Sequence, residues 1–342
     1  MDIEILLKLL QDWTNRVPLV ILGSGASVPF HLPSMWTLGD HLKKTISFAD
    51  PDDQRQFDEF KAIFDEVQDI ELTLLQLQLR PNVLSSIIFE TWKLVSKHDL
   101  EAYDQFLNNK TDFPLAELTS YLLSSAQRKL SVITTNYDRL AEYAASLSNA
   151  FICTGYSQNF IGHFSNSIHH NNLSTLKGYS GHVNIWKVHG SLDWFKTKDE
   201  YDIQLPLRHT IPAECKPSIV TPGVSKYLET QLEPFRTIFT EADNEIENAI
   251  GYLCVGYGFN DIHVQPKLIT QIKNSKPIIV ITKELTMKTK QSIINNNCKQ
   301  YVLIEQANKN DTRIFSSSFT NELIIPNVSY WTLGEYLKLI KT

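Results

Sequence analysis

Two polar side chains stand where buried strands end: Asn136 in Thr134-Thr135-Asn136-Tyr137-Asp138, and His189 in His189-Gly190-Ser191. Open α/β sheets bind ligands at the carboxyl ends of their strands, where Asn136 can hold a ribose hydroxyl or a water. Asn136 and Asp138 can equally make the turn and cap the helix that follows. The glycine after His189 leaves room for a ligand against the ring, and imidazole serves as a general base near neutral pH. A histidine at such a place can also be a structural hydrogen-bonding group. Two glycine turns accompany these residues, Gly23-Ser24-Gly25-Ala26-Ser27 and Gly256-Tyr257-Gly258. A strand running into small residues presents backbone N–H groups to a pyrophosphate. The first turn is not GxGxxG, since Val28 and Pro29 follow Ser27, and a tight turn without a ligand is the competing reading.

The elements that must position these residues follow from periodicity. Leu19–Leu22 reads as a fully buried strand, Leu130–Thr135 as a second, and Val183–Val188 as a third with alternating character. Tyr252–Val255, Pro277–Ile281 (with Thr282 at its end) and Tyr301–Ile304 alternate with helical segments, the pattern of βαβ units. Ser218–Thr221 and Phe151–Tyr156 are short strands. Helices are predicted over 2–15, from a Thr37 cap to about 48, over 232–250, 262–272 and 285–294, and over 333–340. Residues 52–127 carry almost no strand signal and no glycine, and Pro81 and Pro114 each suit a first helical turn. This stretch reads as four or five helices inserted between the first and second strands, forming a lid or an assembly surface. The expected division is one discontinuous Rossmann-like domain, 1–36 and 128–342, and an inserted helical module, 37–127.

Composition narrows the class. Apolar residues make up 42% of the chain and charged residues 20%, ordinary for a folded globular protein. A net charge of −6 gives no electrostatic footprint for nucleic acid. The four cysteines, Cys153, Cys215, Cys254 and Cys298, show no CxxC spacing, which argues against a structural zinc site and a disulfide framework. His163, His169, His170 and His182 fit no standard metal spacing and read as solvated loop histidines. No run approaches a membrane span and no signal-peptide pattern opens the chain, so a cytoplasmic protein is expected.

Taken in order, the strand-end segments resemble the sirtuin fold. Gly23, Gly25 and Ser27 match its small-residue loop, Thr134, Asn136 and Asp138 its T-x-N-x-D segment, and His189 with Gly190 its H-G segment. Gly256 and Gly258 match its G-T-S-like turn loosely. Ile281 and Glu284 match its I-N-x-E strand end, with Thr282 in place of the asparagine. The paired CxxC motifs of a zinc ribbon do not occur here, and Ser34 replaces the acid of the family's GIPDFR-like segment. With the helical insertion, the combination looks more like the bacterial sirtuin-like NADases of anti-phage defence, and the length resembles the component that partners a HerA-type hexameric ATPase.

That resemblance implies a Rossmann-like parallel sheet without a zinc ribbon, and hydrolysis of the nicotinamide–ribose bond of NAD to nicotinamide and ADP-ribose. Nicotinamide is already a cationic leaving group, so the enzyme has to anchor the pyrophosphate, fix the ribose and place a water. Gly23, Ser24, Gly25 and Ser27 would cradle phosphates. Thr134, Asp138, Gly256, Gly258 and Thr282 would complete the NAD site; Asn136 would orient the ribose or water, and His189 would act as base. NAD is the substrate, no metal is expected, and a homo-oligomer controlled by a partner ATPase is implied. Alternatives are a sirtuin-type protein deacylase and a non-catalytic NAD or ADP-ribose sensor.

Overall fold

Short apolar strands form the centre of the molecule because both faces of each are covered. The computed structural model describes residues 2–165, 177–220, 232–261 and 264–341. In chain order these form α1 (Asp2–Asn15), β1 (Leu19–Leu22), α2 (Met35–Thr45), α3 (Pro51–Val67), α4 (Ile70–Leu74), α5 (Pro81–Leu107) and α6 (Pro114–Leu123). Next come β2 (Lys129–Thr134), α7 (Leu140–Leu147), β3 (Ala150–Cys153), β4 (Gly162–His163), β5 (Gly181–Lys187), β6 (Gly190–Lys196), β7 (Asp202–Gln204) and β8 (Lys216–Ile219). The chain continues through α8 (Phe235–Asn248), β9 (Tyr252–Val255), α9 (Val264–Lys273), β10 (Ile278–Ile281), α10 (Met287–Lys290), β11 (Tyr301–Gln306), β12 (Thr312–Ser316), β13 (Leu323–Ile325) and α11 (Leu333–Lys341).

Nine strands make the main sheet in the order β13-β12-β11-β10-β9-β1-β2-β5-β3, and β4-β7-β6-β8 form a second, antiparallel sheet. The main sheet is parallel from β11 to β3, with β12 and β13 added antiparallel at one edge. Strand residues alternate between two cores: Val20, Leu22, Leu253 and Val255 face one, and Leu19, Ile21, Tyr252 and Cys254 the other. This is the period-2 geometry of a sheet covered on both sides. Strand β1 is central, and its register sets Leu22 beside Thr134 and Val255. Val255 in turn pairs with Ile281, and Thr134 with Lys187. One end of the sheet therefore carries Gly23, Thr135, Val188, Gly256 and Thr282 side by side.

The segment between β1 and β2 is helical. Helices α2 to α4 and the start of α5 close a core of their own around Leu42, Phe57, Phe60, Phe64 and Val83. Further along α5, Trp92, Val95 and Phe106 join α6 in the core that covers the main sheet. Pro81 and Pro114 are each the first residue of a helix, where the missing N–H costs no bond.

Several local expectations change. The cap of α2 is Ser34, whose hydroxyl accepts from the Thr37 amide. β5 is buried at all seven positions rather than alternating, because it lies inside the main sheet with α7 and α8 packed on it. His182 consequently lies in β5, edge-on to Phe151 at 5.5 Å, and is not a solvated loop residue. Burial lowers its pKa from the ordinary histidine value. Residues 190–196 form β6, and β12 and β13 extend the sheet beyond the expected strands. His169 and His170 lie outside the described residues; among those described, no group of His, Cys, Asp and Glu forms a metal site. No described helix is long and apolar enough to cross a membrane.

Candidate active site

The carboxyl ends of β1, β2, β5, β9 and β10 are joined by backbone hydrogen bonds that continue past the strands. Gly23 N donates to Val255 O (3.1 Å), Thr135 N to Leu22 O (3.3 Å), Val188 N to Thr134 O (3.2 Å) and Gly256 N to Ile281 O (2.8 Å). The two glycine turns pack directly on each other. A Cβ at Gly256, whose φ is +59°, would lie 2.2 Å from Ala26 N, and one at Gly23 would lie 2.5 Å from Gly256 O. Only glycine fits both demands, a left-handed backbone and contact with a neighbouring main chain. Gly256→Ala is therefore expected to force the two turns apart, lowering the thermal midpoint and any affinity of the cleft described next. Thermal unfolding and calorimetric titration with ADP-ribose check this.

That cleft, of about 740 Å³, opens beside the turns. Gly25, Ala26, Gly256 and Thr282 line its sheet side, Phe113 and Trp331 contribute aromatic rings, and its charged lining is mixed: Lys283 and Lys338 with Asp112, Glu117 and Glu335, Lys338 pairing with Glu335 at 2.7 Å. Its volume is in the range of small-molecule sites. Within the first turn most amides are already paired: Gly25 N donates to Gly256 O, Ala26 N to Gly23 O and Ser27 N to Ser24 O, each at 3.0 Å. The amide of exposed Ser24 has no protein acceptor among the described residues, so a phosphate here would meet that amide and nearby hydroxyls rather than a full ring of N–H groups. Gly258 packs under Thr286, whose hydroxyl donates to its carbonyl at 2.7 Å. Neither Gly258 nor Ser24 lines the cleft.

On the other side of the same turn lies a polar network. Asn136 Nδ2 donates to Gly23 O at 2.9 Å and to Ser27 Oγ at 3.0 Å. Ser27 Oγ donates to Asp138 Oδ2 at 2.7 Å, and Asp138 Oδ1 accepts from the Leu140 amide at 3.2 Å, helping to start α7. The Asn136 amide donates to Thr134 Oγ1 at 3.1 Å. Both amide hydrogens of Asn136 are spent on the turn, so its Oδ1 is left to accept from a ligand hydroxyl or a water. Burial pushes the Asp138 carboxyl above the usual carboxylate range, against the opposing charge of Lys187 and the Ser27 hydrogen bond.

His189 follows β5 and is buried at 6% exposure. Its Nδ1 lies 3.1 Å from Thr135 O, which can only accept, so this nitrogen carries the hydrogen. Its Nε2 lies 2.8 Å from Asp261 Oδ2. Asp261 is buried at 4% exposure, and its other oxygen accepts from the Val264 amide at the start of α9. In the sequence this residue ends the strand-end segment Gly256-Tyr257-Gly258-Phe259-Asn260-Asp261, with no role attached to it. The signal was there, an aspartate just beyond the second glycine turn, but nothing local tied it to a histidine 72 positions earlier.

Lys187, the last residue of β5, is fully buried, which the alternating pattern of its segment does not signal. Its Nζ donates to the Asp138 carbonyl and lies 3.0 Å from Glu142 Oε1. Burial raises the Glu142 carboxyl to about 7, with Lys187 opposing the rise. Its folded pKa exceeds the ordinary glutamate value of 4.5 that holds in the unfolded chain, so the folded chain binds the extra proton between the two. Stability from this group is present below pH 4.5 and lost as pH rises to about 7. Urea titrations of wild type and Glu142→Gln are expected to differ in pH dependence across that window, with the variant flatter.

The structure thus divides the expected site residues. Gly25, Gly256 and Thr282 meet at the cleft, while Asn136, Ser27, Asp138 and Thr134 form the network behind the turn. Gly23 links the two, and His189 stands beside the network through Thr135.

A sequence profile for the SIR2-like domain matches residues 130–301, half of the chain, and the protein belongs to that family. No curated protein matches. Among solved structures, similar chains include a mutant Sir2 homologue in complex with ADP-ribose, at 14% identity and a TM-score of 0.45, over 84% of this chain and 87% of that one. Another is a Sir2 homologue in complex with NAD, at 15% identity and 0.42, over 88% and 87% of the two chains. A third is Sir2Tm bound to a propionylated peptide, at 13% identity and 0.41, over 84% and 89%.

Proposed function

We propose that the protein is an NAD hydrolase that cleaves the nicotinamide–ribose bond, releasing nicotinamide and ADP-ribose. One observation carries the reading: a single glycine turn has Gly25 in the cleft and its Gly23 carbonyl and Ser27 hydroxyl on Asn136. A dinucleotide anchored in the cleft with its diphosphate at Gly25 would extend its ribose toward Asn136. Lys283, beside Thr282, suits the diphosphate, and Trp331 and Phe113 suit a base. Asn136 Oδ1 would accept from the attacking water or a ribose hydroxyl. The C–N bond breaks with its electron pair leaving on nicotinamide, a C–O bond forms to water, and the water's proton is released through the His189 side of the site. Holding these partners in register supplies several kcal/mol of the barrier.

The same reading takes the SIR2-like domain as an NAD-depleting effector in anti-phage defence, restrained by self-association or a HerA-type ATPase, with the helices of 37–127 as the contact module. The test is NAD consumption by the purified protein, alone and with that ATPase, with products separated by chromatography. Nicotinamide and ADP-ribose in equal amounts support the reading; no turnover under either condition overturns it.

A second reading, a non-catalytic sensor of NAD or ADP-ribose, has one observation in its favour: Asn136 and His189 do not line the cleft. Tight binding without turnover in the same assay would select it.

A further inference from the structure

The contact between His189 and Asp261 bears on how the proposed hydrolase would be held at rest. Nδ1 of the ring is committed to the Thr135 carbonyl, so Nε2 is the nitrogen available for chemistry. Asp261 Oδ2 sits 2.8 Å from it. That is hydrogen-bond distance, the separation a substrate hydroxyl would need to exchange a proton with the ring.

We infer that Asp261 is a positioning residue that stands in for the substrate hydroxyl at Nε2 of His189, and that filling the cleft withdraws it. This rests on the NAD hydrolase reading above. The loop from Gly256 to Asp261 connects the two places physically: Gly256 lines the cleft, and five residues on, Asp261 covers the ring. Between them Phe259, fully buried, has φ of +57°. That is an unfavourable backbone for a bulky side chain, and such strain collects in segments with two conformations. A ligand pressing on Gly256 therefore acts on a loop already under strain. Asp261 also holds the Val264 amide, so its role in starting α9 has to be separated from its contact with His189.

Asp261→Ser makes that separation. Serine retains a helix-capping oxygen but is too short to reach Nε2. Two readouts are needed. Nitrogen-15 NMR of ring-labelled histidine, with the His189 signals assigned by their loss in His189→Gln, reports the hydrogen at Nε2 without any turnover. The expected result is that Asp261→Ser and addition of ADP-ribose to wild type each change the Nε2 resonance in the same direction. The second readout is NAD turnover without a partner, expected to rise about tenfold or more in Asp261→Ser, because the variant clears the place at Nε2 that a substrate hydroxyl would take. An unchanged Nε2 signal in the variant overturns the inference, as does a fall in kcat at unchanged KM, which would make Asp261 a support for His189 rather than a stand-in. If no form of the protein turns over NAD while Nε2 responds both to the variant and to ADP-ribose, the hydrolase reading fails and the displacement stands.

Discussion

Asn136→Ala and His189→Ala are each expected to lower NAD turnover at least about a hundredfold, the scale seen when one preorganised polar group is removed from a reacting centre. The two should differ in how they fail. Asn136 spends both amide hydrogens on Gly23 O and Ser27 Oγ, so its removal frees the turn as well as the acceptor facing the ligand. Asn136→Ala should therefore raise KM as well as lower kcat. The His189 ring meets the main chain at Thr135 O, outside the cleft, and His189→Ala should lower kcat with little change in KM. Both chains should remain folded by circular dichroism, because neither side chain belongs to an apolar core. Wild-type turnover in either variant would remove that residue from the proposed mechanism. Retained ADP-ribose binding by His189→Ala, measured by calorimetry, would separate the cleft from the chemistry.

Much of this arrangement was legible in the sequence, for a physical reason. Strands buried on both faces read as unbroken apolar runs, and Leu19–Leu22, Tyr252–Val255 and Ile278–Ile281 are all of that kind. In a parallel sheet their carboxyl ends point the same way, so the residues after them gather at one end whatever the strand order. That is why Gly23, Asn136, His189, Gly256 and Thr282 could be grouped before any contact was known. Contacts across the chain were not legible. Asp261 could be read as a turn residue, and nothing in its neighbourhood distinguishes a helix cap from a partner for His189. Lys187 looked like the polar position of a half-exposed strand, whereas the packing of α7 against β5 buries it against Glu142. β6, β7 and β8 were legible only in part: β8 begins with Lys216-Pro217, β7 is three residues long, and β6 opens on a glycine. The turn amides carry the same lesson. Small residues predicted a phosphate cradle, and the structure spends most of their N–H groups on the neighbouring turn.

Asp99→Ala should produce the largest loss of stability in the protein, on the order of 3–5 kcal/mol in urea denaturation, the cost of leaving a buried charge without its partner. Asp99 lies on α5, in the inserted helical stretch, and is fully buried. Its Oδ1 accepts from the Arg139 amide at 2.7 Å and its Oδ2 from Arg139 Nε at 2.9 Å. The Tyr143 hydroxyl donates to the same carboxylate, and burial together with the Asp99 charge holds that hydroxyl far above its usual pKa. One carboxylate thus serves the first turn of α7, immediately after Thr134-Thr135-Asn136-Tyr137-Asp138. Truncating it strands the Arg139 guanidinium at 3% exposure. The double variant Asp99→Leu with Arg139→Met removes both charges and keeps the volume, so it should recover much of the loss. If instead the single variant costs under about 1 kcal/mol, water or a neighbouring acid has taken over from Asp99, and the pair is not what fixes α5 to α7. The comparison also bears on function. The helical stretch proposed as the contact module would be tied by this carboxylate to the segment that carries Asn136. A partner that shifts α5 would then reach Asn136 through Arg139, and Asp99→Leu with Arg139→Met should fold yet lose its response to that partner in the NAD assay.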